Sequence, residues 1–224
     1  MDRASDRAYS ILRSEIIGWQ LPPGTVVAEV EQSERLGMSR TPVREALARL
    51  TADGLVVALA GRGLVVANVS IDDIRELFEL REALEVTAAR LAAKRGDPER
   101  FRALEREFEA VPRLVSSADP DRQDYYDLVA RFDLAVDEAI DNPYLIGALD
   151  TVRTHLARAR RLAKDNPQRL LAAAAEHLLI VRAIASGDAE LAGHATHVHL
   201  HNSLASMLAL GSSAHGASPE ERTA

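Results

Sequence analysis

The sequence predicts a mainly α-helical protein, an N-terminal winged helix-turn-helix followed by a C-terminal antiparallel six-helix bundle. Three observations carry that prediction. Residues 31–50 read as a short helix, a glycine turn at Gly37 and a second helix that opens on small hydroxyl and basic residues. Residues 55–67 hold two β-branched runs around Gly61-Arg62-Gly63. Beyond residue 70 the chain is rich in Ala and Leu, and X-Pro steps at 97–98, 119–120, 142–143 and 166–167 divide it at helix lengths.

Taken in order, residues 6–19 form an amphipathic helix with Tyr9, Leu12, Ile16 and Trp19 on one stripe. Leu21-Pro22-Pro23-Gly24 stops it, and Val26-Val27 is a short extended piece. In the second helix of the motif, Ser39 is a good N-cap and Pro42 fits the first turn, where its missing N–H costs nothing. Val43, Ala46, Leu47 and Leu50 recur at three and four residues and make its apolar face. Asp53-Gly54 ends it, with Gly54 one residue past the cap. Leu55–Leu59 and Leu64–Ala67 are then the strands of a hairpin with Arg62 at its tip.

Asn68-Val69-Ser70 marks a boundary, so residues 1–69 are expected as one domain. Ser70 caps a helix over 71–95 whose first turn is acidic. Five more helices follow: 98–116 with an interruption at Pro112, 119–141, 142 to about Lys164, 166–186, and a last one from Gly187-Asp188 to Leu210. Residues 70–211 are expected as an all-helical effector-binding and dimerisation domain. Residues 212–224 are polar and expected as a disordered tail.

Composition limits the function classes. There is no cysteine, which excludes a disulfide framework and thiolate metal ligands. No apolar run approaches the ~20 residues that span a bilayer, and no signal-peptide core follows the charged N-terminus. A soluble cytoplasmic protein without membrane partners is expected. The net charge of −7 is unevenly spread. Residues 1–70 hold eight Arg and eight acidic residues, whereas residues 35–50 hold four Arg against one Glu. A local basic surface on an acidic protein fits a specific reader of double-stranded DNA.

Arg35, Ser39, Arg40, Thr41, Arg44 and Arg49 are therefore the candidate DNA contacts of the helix-turn-helix, to phosphates or to guanine O6 and N7. Gly61 and Arg62 are the candidates on the wing, for a minor groove or a phosphate. The alternative is a surface helix with solvated arginines and an ordinary hairpin.

Residues 9–67 resemble the winged helix of the GntR family of bacterial transcription regulators. The matching text includes Leu21-Pro22-Pro23-Gly24, Arg35 through Leu47, Leu50, Asp53-Gly54-Leu55-Val56 and Gly61-Arg62-Gly63. The resemblance implies that Ser39, Arg40, Thr41 and Arg44 contact operator bases and phosphates, and that the wing-tip glycine enters the minor groove. Val30 stands where some relatives carry a basic DNA-contacting residue.

The helical part resembles the FCD effector domain of the FadR-like branch. Leu77 through Glu85, Phe132-Asp133, Asp141-Asn142-Pro143, Glu176-His177, Ile180, Ala183-Ile184, Gly187-Asp188 and His199 carry the match. Many such domains hold a divalent metal with an Asp and a His four apart on one helix plus two later His. Carried over, the later pair is His177 and His199, Asp133 replaces the first His, and Val129 replaces the carboxylate. Asp133, His177 and His199 remain as a ligand set for Zn, Ni, Mn or Fe. His155 is a candidate replacement ligand or effector contact. His194, His197 and His201 are either solvated or, for His197 and His201, a metal pair of their own. Arg81 is either ion-paired with Glu85 or the anchor of an anionic effector. Arg131, Arg158 and Arg161 are expected on solvated faces.

The expected function is a homodimeric, ligand-responsive transcription regulator, a repressor released from a palindromic operator by a small carboxylate-bearing metabolite. Two other classes stand beside it: a DNA-binding regulator with a vestigial, non-responsive pocket, and a metal-dependent enzyme built on Asp133, His177 and His199. No nucleophile or general-base constellation accompanies that last set, so no catalytic residue is assigned.

Overall fold

The computed structural model describes residues 3–115, 123–160 and 167–215. The start of a helix at Asp119-Pro120, the segment with Arg161 and Lys164, and residues 216–224 lie outside them. The described chain holds nine helices and one two-stranded sheet. It divides into two compact units, Met1–Ile74 with Arg153–Leu162, and Arg75–Val152 with Ala163–Ala224.

The first unit contains α1 (Ala4–Ile17), α2 (Glu29–Leu36), α3 (Arg40–Ala52), β1 (Val56–Leu59) and β2 (Gly63–Val66). Spacing of three and four residues puts Ala8, Leu12 and Ile16 of α1 and Val43, Ala46, Leu47 and Leu50 of α3 into one core with Val27, Leu55, Val56 and Val66. The helix α1 ends two residues before the expected point. Gly18 caps it, and Trp19 leaves the helix at φ 62° rather than extending the stripe. Gly37 joins α2 to α3 in the left-handed conformation, φ 63°, which a Cβ would disfavour. The hairpin is antiparallel, pairing Val56 with Val66 and Leu59 with Gly63. The expected extended piece is there too: Val26 bridges Val65, and the Val27 N–H donates to the Leu64 carbonyl at 2.8 Å.

Ser70 and Asp73 form a reciprocal cap at the start of α4 (Ile71–Arg95). The Asp73 N–H donates to the Ser70 hydroxyl at 3.0 Å, and the Ser70 N–H donates to the Asp73 carboxylate at 2.6 Å. The bundle continues with α5 (Pro98–Val115), α6 (Gln123–Ile140), α7 (Pro143–Arg160), α8 (Pro167–Ala185) and α9 (Ala189–His215). Two X-Pro starts act as expected. Asp97 and Asn142 accept the N–H of Glu99 and Tyr144, each with Pro at the next position. The expected interruption at Pro112 is not found, since α5 runs unbroken to Val115. The last helix also passes Leu210 and continues through residues 211–215, where no proline stops it.

In the second unit α8 packs against α5 and α9, and α5 against α6. Phe101, Leu104, Phe108 and Val111 of α5 and Leu128, Phe132 and Ile140 of α6 meet Ile180, Val181 and Ile184 of α8 in its core. Small residues on α8 and α9, Ala174 and Ala192 among them, are buried in the same core. Among the described residues no helix is long and apolar enough to cross a membrane.

The end of α7 belongs to the first unit. Arg158, expected on a solvated face, is 1% exposed and donates to the Ala67 carbonyl. Leu156 and Ala159 are buried with it. Burial pushes the Arg158 guanidinium below its usual pKa, with the Asp73 carboxylate opposing. Thr154 accepts a hydrogen bond from Arg13 of α1.

Candidate functional site

The sequence points to two sites, one in each unit. In the first, Ser39 occupies the N-cap of α3 with extended backbone, yet its hydroxyl makes no capping bond. Ser39, Arg40, Thr41 and Arg44 are all exposed. Arg40 and Arg44, one turn apart, converge on a single carboxylate. Arg40 Nε donates to Glu29 Oε1 at 2.7 Å, and Arg44 Nε donates to Glu29 Oε2 at 2.9 Å. Arg44 Nη2 adds a longer bond to Oε1 at 3.3 Å. The hydrogen bonds from the two arginines, Arg44's first, hold the Glu29 carboxyl below its usual pKa.

The other two arginines of the motif are tied to α1. Arg35 makes a bidentate pair with Glu15, both bonds at 2.6 Å, and its Nε donates to Gln32. Arg49 donates to Asp6 at 2.7 Å and lies 4.0 Å from the centre of the Tyr9 ring. Both pairs link α1 to the motif. At the wing tip Gly61 has φ 75° and open space where a Cβ would stand, and Arg62 is exposed.

In the second unit His177 and His199 lie ring to ring, centroids 4.3 Å apart, each 6% exposed. His177 stacks on Phe108 at 5.4 Å and meets the edge of Phe132 at 5.8 Å. Its Nδ1 is 2.8 Å from the Ala173 carbonyl and 3.3 Å from the Tyr125 hydroxyl. A carbonyl only accepts, so Nδ1 carries a proton there. His199 Nδ1 is 2.7 Å from Glu176 Oε2, which gives the same tautomer. Burial lowers the His199 pKa, against the pull of the Glu176 hydrogen bond, and so favours the neutral ring.

Glu176 is the hub of this site, and nothing but its place before His177 marks it in the sequence. It accepts both arms of Arg169, at 2.9 and 2.8 Å, and a bond from Asn202 at 2.8 Å, besides that of His199. Burial alone would raise its pKa. The hydrogen bonds from His199, Arg169 and Asn202 outweigh burial and bring it down to about 2.

Three expected site residues are placed elsewhere or otherwise. Asp133 is half-buried one residue after Phe132, whose ring meets His177, and it is not grouped with His177 and His199 as a metal-holding set among the described residues. His155 belongs to the first unit, where Nε2 is 3.0 Å from the Asp53 carbonyl beside Gly54. Its Nε2 is engaged with that backbone carbonyl. Arg81 resolves to the ion pair. It is 3% exposed, bonds Glu85 at 2.7 and 3.2 Å, and lies 4.5 Å from the centre of the Phe78 ring.

Among the described residues no group of three or more His, Cys, Asp or Glu is placed to hold a metal ion, so His177 and His199 alone do not make a metal centre. The oxygens of Glu176 already answer to Arg169, His199 and Asn202. His194, His197 and His201 are exposed, and His197 Nδ1 pairs with Glu82 at 2.9 Å rather than with His201.

Comparison with known proteins follows the same division. Residues 4–66 match the model of bacterial regulatory proteins, gntR family, and residues 76–202 match the FCD domain. An uncharacterized HTH-type transcriptional regulator from the TAR-I ttuE-ttuC' intergenic region of Agrobacterium vitis is 48% identical over 82 residues. That stretch is 37% of this chain and 48% of that protein, so the match spans about half of it. A probable D-xylose utilization operon transcriptional repressor of Paenarthrobacter nicotinovorans is 35% identical over 190 residues, 83% of this chain and 80% of that protein. Among solved structures, E. coli McbR/YncC superposes with a TM-score of 0.76 at 22% identity, covering 93% of this chain and 99% of the other, and shows the shared fold.

Proposed function

The chain belongs to the gntR family of bacterial regulatory proteins, with an FCD domain behind its DNA-binding head, and from that premise we propose that it is a ligand-responsive repressor acting as a homodimer. The carrying observation is the exposed cluster Ser39, Arg40, Thr41 and Arg44 at the start of α3, beside a hairpin with Arg62 at its tip. An anion-seeking helix N-terminus with two arginines suits the edge of a major groove. A two-fold dimer of such heads reads a palindromic operator. Repression is the direction named for the Paenarthrobacter relative.

The effector reading rests on His177 and His199. The neutral His199 ring and the ionised Glu176 are hydrogen-bond acceptors beside His177. That chemistry favours a ligand rich in hydroxyl donors, a sugar or hydroxy acid, over a plain carboxylate. A carboxylate would need Arg81 to leave Glu85. A metal-dependent enzyme needs three donors at one centre, which the described residues do not supply. A DNA-bound regulator with a silent pocket is the second reading, favoured by Val129 standing where many such domains carry a metal-ligand carboxylate. Gel shift with the promoter region upstream of the protein's own gene tests the main reading. The expected result is a complex that resists random competitor DNA and dissolves on adding one member of a sugar and hydroxy-acid panel. A complex competed equally by random DNA contradicts DNA reading, and one that no ligand dissolves supports the silent pocket.

A further inference from the structure

We propose that Glu29 is a specificity residue of the DNA-reading head, a carboxylate that stays on Arg40 and Arg44, lowers their charge toward any phosphate backbone and orients their guanidinium groups for the correct base sequence. The inference rests on the reading of α3 as the DNA-contacting helix. Four arginines lie between residues 35 and 50, and each has a carboxylate partner in the structure. The pairs are not alike. Glu15 and Asp6 stand on α1, each take one arginine, and join that helix to the motif. Glu29 stands in the first turn of α2 and takes two arginines from the exposed start of α3.

Stability does not explain this arrangement. The side chains of Arg40 and Arg44 are 62% and 65% exposed, and ion pairs that open to water contribute little to folding. Its electrostatic effect on a ligand is larger. Two arginines one turn apart would present two positive charges to a phosphate backbone, and the carboxylate between them leaves the trio at one. Backbone binding that depends on counterion release weakens accordingly. Geometry adds a second effect. Glu29 engages Nε of Arg40, and Nε and Nη2 of Arg44, which fixes both guanidinium planes and leaves Nη1 of Arg44 and the Nη groups of Arg40 outside the pair. A guanidinium held in one plane meets a guanine edge without searching for its orientation. Random DNA is thus penalised by the carboxylate, while the correct site gains from the arginines it positions.

The test uses the full chain, a random-sequence duplex, and a duplex enriched by the wild-type protein from a randomised pool. Anisotropy titrations across a salt series compare wild type, Glu29→Gln, Glu29→Asp and Glu34→Gln. Glu34 is exposed on the same helix, so its variant removes the same charge and leaves Glu29 in place. Glu29→Gln is expected to bind the random duplex about three- to tenfold more tightly at moderate salt, with a salt slope steeper by about one. Its preference for the enriched duplex is expected to fall about tenfold, because the guanidinium planes are no longer fixed. Glu29→Asp keeps the charge and restores weak random binding. Glu34→Gln leaves the preference unchanged. The inference is overturned if Glu29→Gln and Glu34→Gln behave alike, or if Glu29→Gln weakens both duplexes equally. If the wild-type protein enriches no sequence at all, the DNA reading itself has failed and the role of Glu29 falls with it.

Discussion

Glu176 shows how much one side chain can carry. Its folded pKa of about 2 lies below the ordinary 4.5, so between those values the unfolded chain binds the proton more readily. Its contribution is complete above about pH 4.5 and is lost as pH falls toward 2. His199 acts in the same direction from a higher starting point. Burial depresses its pKa below 6.5, so folding opposes its protonation and stability declines as pH drops below that value. Urea midpoints measured against pH are therefore expected to fall in acid. Glu176→Gln should flatten the lower part of that fall and cost about 1–3 kcal/mol at neutral pH, since Arg169 and His199 lose a charged acceptor. An acid limb unchanged by the substitution would contradict the assignment. Little of this was legible in the sequence. His177 and His199 stood out by family position, but Tyr125 of α6 reaches His177 and Glu176 of α8 reaches His199 across separations that no local pattern encodes.

The elements themselves were far more legible. Glycine and proline set their ends, and those residues act through local backbone chemistry that a sequence displays directly. Gly37, Gly54 and Gly187 each take positive φ at a helix end, and Pro98 and Pro143 open helices where expected. Elements were misjudged where a tertiary contact or a tolerated residue overrode the local signal. Pro112 did not break α5. The end of α7 is the larger case. Thr154 and Arg158 sit on a helix of the bundle by sequence, and they are buried or bonded within the first unit instead. Two glycine substitutions separate these effects. Gly37→Ala forces a Cβ into left-handed backbone and should cost about 1–2 kcal/mol in urea unfolding, although nothing stands within 4 Å of that Cβ. Gly147→Ala, inside α7 with equally open space, should instead stabilise by about 0.5–1 kcal/mol. Equal effects at both positions would show that the backbone argument is wrong.

Across the whole molecule, charge divides the labour. The head balances its acids and arginines, while the helical part holds the entire excess of negative charge. Such a body repels DNA and leaves the contact to the head. On the proposed reading, a hydroxylated ligand stabilises the helical unit through His177 and His199. Thermal unfolding across a sugar and hydroxy-acid panel should then show a midpoint rise with one member, lost in His199→Ala and unaffected by a chelator. A rise that the chelator abolishes would restore the metal reading. The central claim concerns DNA and has a more direct test. The ratio of affinities for an enriched duplex and its base-scrambled counterpart is measured at one moderate salt concentration, for wild type and Arg44→Ala. A ratio of about a thousandfold or more is expected for the wild type. Arg44→Ala should lose about 1–3 kcal/mol on the enriched duplex and much less on the scrambled one. Equal affinity of the wild-type protein for both duplexes would contradict the account.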